Sequence, residues 1–324
     1  MIYSKIIGTG SHLPEKVVTN QDLEKILDTD DQWIRDRTGI RERRISNDDE
    51  PTTVLAEHSC RKALEAAETE ADEIDLLIVG TTTPDLIFPS TACLVQKKIG
   101  LPNCGAMDVN AACSGFIYAL SIADKYIRCG DAKKVLVCGA ETLSKMINWN
   151  KRETAVLFGD GAGAVVLEAS EEPGILSTHI HANGHHAELL STSVGVSRGF
   201  DGLKDNDGKA EIQMKGNEVF KLAVRTLGRI VDETLAANDM DKSELDWLIP
   251  HQANLRIISA TAKKLEMDMD RVVITVDRHG NTSSASVPLA LDEAVRDGRI
   301  KRGDLLLLEA FGGGFTWGSA LIKY

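Results

Sequence analysis

A pattern of buried strands repeats within the chain, and it limits the fold more than any other feature. Asp75-Leu-Leu-Ile-Val is matched by Asp246-Trp-Leu-Ile-Pro at an offset of 171, and Lys134-Val-Leu-Val by Asp304-Leu-Leu-Leu at an offset of 170. Each second run leads into a glycine-rich hairpin, FGDGAGAVVL from Phe158 and FGGGFTWGSALI from Phe311. Short uninterrupted apolar runs mark strands covered on both faces, where neither face meets water. Chance likeness of buried strands explains one match; two nearly equal offsets followed by the same kind of hairpin point to a duplicated unit. Gly163–Glu168 and Arg271–Val276 also read as strands, and Thr53–Ala67 and Glu218–Ala237 as helices. The alternation predicts an α/β fold with mainly parallel pairing, in two halves, 1–170 and 171–324. The offset carries Cys113 onto Ser283, two residues past Asn281, so two functional loops are expected to face each other across a pseudo-twofold axis. The least regular stretch, His179–Lys209 with GFDGLKDNDG near its end, reads as a lid or pocket wall.

Composition excludes several functions. The net charge of −12 makes the chain a poor match for nucleic acid, although a local basic patch can still dock an acidic partner. No run approaches the roughly 20 apolar residues of a membrane span, and the first residues lack a signal-peptide pattern, so a cytoplasmic protein is expected. The six cysteines form no CxxC pair, which argues against a zinc or dithiol redox site; no metal is expected. Their default is the buried, reduced thiol.

One cysteine stands apart. In Asp108-Val-Asn-Ala-Ala-Cys113-Ser-Gly, small residues precede a helical run from Phe116 to Ile127, so Cys113 is expected at a strand-to-helix turn. The partial positive charge of a helix start favours a thiolate and lowers the thiol pKa. His251 in Pro250-His-Gln-Ala-Asn254 follows a strand and precedes a helix, at the edge where open α/β sheets collect their sites. Asn281 in Arg278-His279-Gly-Asn281-Thr-Ser-Ser is either an N-cap or an amide donor to a developing oxyanion. His279, earlier in that turn, is the weaker competitor for the histidine role. The run Gly312-Gly313-Gly314 lacks the Lys-Ser/Thr of a phosphate loop and reads as a bend offering backbone N–H groups to a carbonyl.

Taken together, Cys113 in DVNAACSGF, His251 in PHQANLRI, Asn281 in RHGNTSSASVP and the closing EAFGGGFTWGSALI resemble the β-ketoacyl-acyl-carrier-protein synthase III family, and the likeness runs from KIIGTGSHLPE and DQWIRDRTGIRERR to the last strand. The resemblance implies a thiolase-like fold of two halves in five αβαβα layers, a homodimer, and no cofactor, acyl-CoA being a substrate. It implies an acyltransferase that initiates type II fatty acid synthesis. Cys113 takes an acetyl or other short acyl group from CoA. His251 and Asn281 stabilise the enolate formed when malonyl-acyl-carrier protein loses carbon dioxide. The carbanion attacks acyl-Cys113, giving acetoacetyl-carrier protein, with the oxyanion held by the N–H groups of Cys113 and Gly314. By the same resemblance, Trp33 stacks the adenine of CoA, Arg37 and Arg152 lie near the nucleotide, and Asn254 meets the pantetheine. The acidic carrier protein docks on Gln252, Ala253, Asn254, Leu255 and Arg256 with Lys221, Lys263 and Lys264, and Phe88 of the partner limits the primer pocket to short straight acyl groups.

Two other readings keep part of this. A polyketide or signalling-molecule paralogue retains the trio but changes primer or acceptor. A scaffold that binds carrier protein without turnover leaves the intact Cys113, His251 and Asn281 without purpose. A biosynthetic thiolase needs a second cysteine near the last glycines, and Phe311–Ala320 has none.

Overall fold

In the computed structural model, which describes residues 2–198 and 210–324, the strand runs form two mixed sheets. The first contains β1 (Tyr3–His12), β2 (Leu76–Gly80), β3 (Gly105–Val109), β4 (Lys134–Thr142) and β5 (Asp160–Ser170), in the order β1-β5-β4-β2-β3. The second contains β6 (Ile175–Ala182), β7 (Trp247–Pro250), β8 (Leu305–Gly312) and β9 (Thr316–Lys323), in the order β6-β9-β8-β7. The two orders correspond strand for strand. Where the first sheet has β3, the second keeps only a bridge between Leu248 and Val272, so Arg271–Val276 is not the strand the sequence suggests. Among the described strands, β2–β3, β2–β4 and β7–β8 pair parallel, while the hairpins β4–β5 and β8–β9 and their outer neighbours are antiparallel, which corrects the expectation of mainly parallel sheets.

Five layers follow from the two-sided burial of these strands. Helices α4 (Gly115–Cys129) and α7 (Ser286–Arg296) lie between the sheets, where Phe116, Leu120, Val287 and Leu291 pack with Ile78, Val137, Leu306 and Leu308. On the outer face of sheet one, α2 (Thr52–Ala66) and α3 (Thr91–Ile99) set Leu55, Ala63 and Val95 against Leu77, Val79 and Leu136. On the outer face of sheet two, α5 (Gly216–Ala237) and α6 (Leu255–Leu265) set Val231, Ile258 and Leu265 against Leu248 and Leu307. Alternate residues of β2 feed different layers, as the period of two requires.

The internal offset is 171 for the elements around the two turns. The starts of β2 and β7, of β4 and β8, and of α4 and α7 are all separated by it, as are the short 3₁₀ turns Ala112–Ser114 and Ser283–Ala285. Ala112 and Ser283 even share a positive φ, +47° and +51°. The residue equivalent to Cys113 is therefore Ser284, one past the position given by the sequence match. That match aligned Lys134 with Asp304, whereas the strands begin at Lys134 and Leu305.

The supposed excursion is more regular than it reads. His179–Ala182 completes β6, and Leu190–Thr192 pairs with Ile212–Met214 as a two-stranded ribbon; GFDGLKDNDG lies outside the described residues. The halves meet closely at Gly139, where an added Cβ would sit 2.3 Å from the carbonyl oxygen of Ser284. Gly139→Ala is expected to cost about 1–3 kcal/mol by overpacking and to lower the melting temperature. Gly184→Ala, in open space, is the control, and equal melting of the two variants would remove this close-approach argument.

Candidate active site

Cys113 sits in the 3₁₀ turn Ala112–Ser114 that joins β3 to α4 and is 8 % exposed. The glycine-rich turn of β8–β9 clamps it: Ser114 Oγ donates to the Thr316 carbonyl (3.0 Å), and Thr316 Oγ1 donates to the Ala111 carbonyl (2.7 Å). Gly312 is required there, because a Cβ would come within 2.6 Å of the Cys113 nitrogen. Gly313 lines the cavity beside Cys113; Gly314, at φ +138°, lines neither cavity described below.

The thiol does not behave as its place at a helix start suggests. Burial pushes its pKa up to about 12; the Ser283 hydroxyl, hydrogen-bonded to it, pulls the other way, and the Glu141 carboxylate pushes it further up. Burial dominates the influences on the thiol, so the resting group is S–H.

His251 follows β7, its N–H donating to the Glu309 carbonyl (2.8 Å) and its Nδ1 lying 2.6 Å from Ser286 Oγ. Burial lowers its pKa to about 3, so the imidazole is neutral at physiological pH. Asn281 is held by its backbone: its N–H donates to Leu157 O and its carbonyl accepts from Gly159 N–H. Its Oδ1 accepts from the Ser283 N–H at 2.9 Å, leaving the amide NH₂ to donate. His279 lines neither cavity and lies 3.5 Å from Glu293.

Two cavities, each of about 270 Å³, share Cys113, Phe158 and Leu190. The first runs from Trp33, Arg37 and Asn254 to Cys113, with His251 and Asn281 in its wall. The second is lined by Leu143, Met146 and Ile212 with Ser191 and Thr192 of the ribbon, so part of the predicted pocket wall is in place. At the mouth of the first, helix α1 (Asp31–Thr38) presents Trp33, and the guanidinium groups of Arg152 and Arg37 lie 4.4 Å and 4.7 Å from the ring centroid. Asn254 caps α6: its Oδ1 accepts from Arg256 N–H (2.8 Å), and its Nδ2 donates to Arg37 O (2.9 Å).

The surface residues divide. Arg256, over the Phe220 ring at 5.0 Å, is exposed, as are Lys221, Lys263 and Lys264; Lys264 pairs with Asp232 at 2.8 Å, and Ala253 and Leu255 are half-buried. Gln252 cannot belong to a docking face. It is fully buried, its Nε2 donating to Pro250 O and Val273 O and its Oε1 accepting from Thr275 and Val276 N–H, so it braces the His251 loop instead. Phe88, 83 % exposed beside Leu86 and Ile87, lines neither cavity of its own chain. Sequence reasoning missed Glu141, Ser283 and Ser286. A lone acid ending the apolar KVLVCGAET and the serine run after Asn281 were the available signals.

A buried cysteine in the turn that enters one central helix, with a histidine and an asparagine on the loops of a matching second half, is the arrangement of a thiolase-fold condensing enzyme. The comparisons agree. Residues 107–184 match the family model for 3-oxoacyl-[acyl-carrier-protein] synthase III, and residues 235–324 match the model for its C-terminal part. The chain is 68 % identical to the β-ketoacyl-[acyl-carrier-protein] synthase III of Xanthomonas euvesicatoria over 100 % of its own length and 99 % of the relative's. The crystal structure of the 3-oxoacyl-[acyl-carrier-protein] synthase III of Aquifex aeolicus superposes with a TM-score of 0.93 at 49 % identity, covering 99 % of this chain and all of the other. The priming β-ketosynthase of the R1128 polyketide pathway gives 0.94 at 35 %, covering 99 % and 96 %. The chain belongs to the β-ketoacyl-[acyl-carrier-protein] synthase III family and is an acyltransferase. Among the described residues no helix is long and apolar enough to cross a membrane, and no cluster of three or more His, Cys, Asp or Glu could hold a metal ion.

The neutral His251 has a consequence for stability. Between about pH 3, its folded pKa, and about 6.5, the unfolded value, the unfolded chain binds a proton that the folded chain does not. Stability is therefore lost as pH falls through that window, and His279, lowered to about 4 by burial, acts in the same direction. Urea midpoints should fall less steeply from pH 7 towards about pH 4.5 in His251→Asn than in the wild type; parallel curves would contradict a neutral buried His251.

Proposed function

We propose that this protein initiates type II fatty acid synthesis, condensing acetyl-CoA or another short acyl-CoA with malonyl-acyl-carrier protein. The observation that carries the reading is the position of Cys113 where the tunnel from Trp33 meets a small apolar cavity, with His251 and Asn281 in the tunnel wall.

In the first half-reaction the thioester enters along the tunnel and Cys113 sulfur attacks its carbonyl. The thiol proton leaves with the CoA sulfur, so the products are acyl-Cys113 and CoA. The backbone N–H of Cys113 forms one arm of the oxyanion hole, and Gly313, which lines the cavity beside Cys113 where Gly314 does not, supplies the other; the packing of Gly312 on the Cys113 nitrogen holds the two segments together. The acyl chain lies in the cavity of Leu143, Met146 and Ile212. In the second half-reaction the malonyl thioester carbonyl accepts from His251 Nε2 and Asn281 Nδ2. Loss of carbon dioxide leaves an enolate, which attacks acyl-Cys113 and expels the thiolate, and a solvent proton restores the thiol.

Trp33, Arg37 and Arg152 bind the CoA nucleotide and Asn254 the pantetheine; the Trp–Arg stacks at the tunnel mouth support the first assignment. The exposed Arg256, Lys221 and Lys263, with Lys264 beside them, receive the acidic carrier protein against the chain's overall charge of −12. The enzyme is a homodimer in which the exposed Leu86-Ile87-Phe88 reaches the partner's primer cavity. All six cysteines are free, in keeping with a cytoplasmic protein.

Asn281→Ala is expected to keep acetylation of Cys113, read by intact-protein mass, while condensation falls about 10²–10³-fold; condensation at the wild-type rate would refute the role of Asn281. Arg256→Glu is expected to raise the KM for malonyl-carrier protein about tenfold, roughly one close charge pair's worth of coupling, and to raise that for acetyl-CoA by less, although Arg256 also lines the tunnel. Equal increases for both substrates would remove Arg256 from docking.

A further inference from the structure

His251 and Ser286 reach each other from different elements, the loop after β7 and the first turn of α7. Ser286 Oγ is 2.6 Å from His251 Nδ1 and 3.3 Å from the backbone nitrogen of Gln252. The Gln252 N–H can only donate, so it takes a lone pair of the hydroxyl oxygen. A second lone pair remains, but the single hydroxyl proton has no acceptor other than His251 Nδ1 within hydrogen-bond distance among the described residues, and with Ser286 1 % and His251 5 % exposed, bulk water does not compete. A neutral imidazole that accepts at Nδ1 carries its own proton on Nε2.

We propose that Ser286 is a positioning residue that holds His251 in the Nε2–H tautomer, so that the imidazole meets the substrate as a hydrogen-bond donor and not as a base. The inference rests on the function proposed above and deepens it. Asn281 is fixed by the same device, its Oδ1 occupied by the Ser283 N–H so that only the NH₂ is left to donate. Ser283 and Ser286 lie one turn apart where the chain enters α7, so one segment orients both donors. Two donors suit a thioester carbonyl turning into an enolate. They do not suit removal of the Cys113 proton, because Nε2 already bears one. His251 therefore serves condensation, and the proton of Cys113 leaves with CoA, converting Cys113 S–H and acyl-S-CoA into acyl-S-Cys113 and CoA-SH.

The test combines a spectroscopic reading with the two half-reactions. In full-length protein labelled with nitrogen-15 histidine, with His251 identified by its absence in His251→Asn, wild-type His251 should show a protonated Nε2 and an unprotonated Nδ1 at neutral pH. Ser286→Ala should lose that preference and decarboxylate malonyl-carrier protein about ten- to a hundredfold more slowly, a share of what a positioned proton donor contributes. Its acetylation by acetyl-CoA should stay within about twofold of wild type, as expected where no acid–base group is lost from that step. Ser286→Thr, which keeps the hydroxyl, should restore both tautomer and rate. A protonated Nδ1 in the wild type, or decarboxylation by Ser286→Ala at the wild-type rate, would overturn the proposal, and the wild-type spectrum decides even if the variant fails to fold. Failure of the functional reading is separate: wild-type protein would then neither acetylate Cys113 nor decarboxylate malonyl-carrier protein, whatever the tautomer.

Discussion

The site depends on one buried carboxylate. Glu141, at the end of β4, accepts from the Thr82 N–H and hydroxyl and from Thr83 Oγ1 (2.6 Å) of its own half. From the second half it accepts Ser283 Oγ at 3.0 Å and Ser284 Oγ at 3.3 Å. A buried carboxylate is costly unless its lone pairs are filled, so this group fixes the two turns against each other, and Ser283 passes the constraint on to both Cys113 and Asn281. The two halves are thus joined at the chemistry and not merely at a shared apolar layer.

A second theme is neutrality. Burial raises the Cys113 thiol and lowers His251, so both rest uncharged at physiological pH. An ion pair of thiolate and imidazolium would suit a hydrolase that needs a permanent nucleophile. A neutral pair suits a site in which charge first appears on the substrate, where aimed N–H groups act most strongly because little solvent screens them.

Much of this was legible in the sequence. Strands buried on both faces announce themselves as apolar runs, and the repeat of β2 and β4 in β7 and β8 exposed the duplication. Arg271–Val276 misled because a β-rich run carries its composition whether or not the neighbouring strand pairs with it beyond one bridge. Cys113, His251 and Asn281 stood out through their loop contexts. Gln252 was misplaced because a side chain that ties four backbone groups looks, in sequence, like any polar loop residue. The thiol pKa was not legible, because a helix start is visible in a sequence and desolvation is not. Glu141, Ser283 and Ser286 act across 35 to 142 positions of chain, a separation that no local pattern encodes.

The tunnel mouth adds a consequence for traffic through the enzyme. Trp33 already has two guanidinium groups against its ring, so a nucleotide base that stacks there exchanges partners and gains less than it would on bare indole. Under the function proposed above, the head group then works as an address label: recognised on arrival, released without much penalty once its cargo is delivered. That frees the doorway for the second visitor, whose prosthetic arm must use the same passage to Cys113.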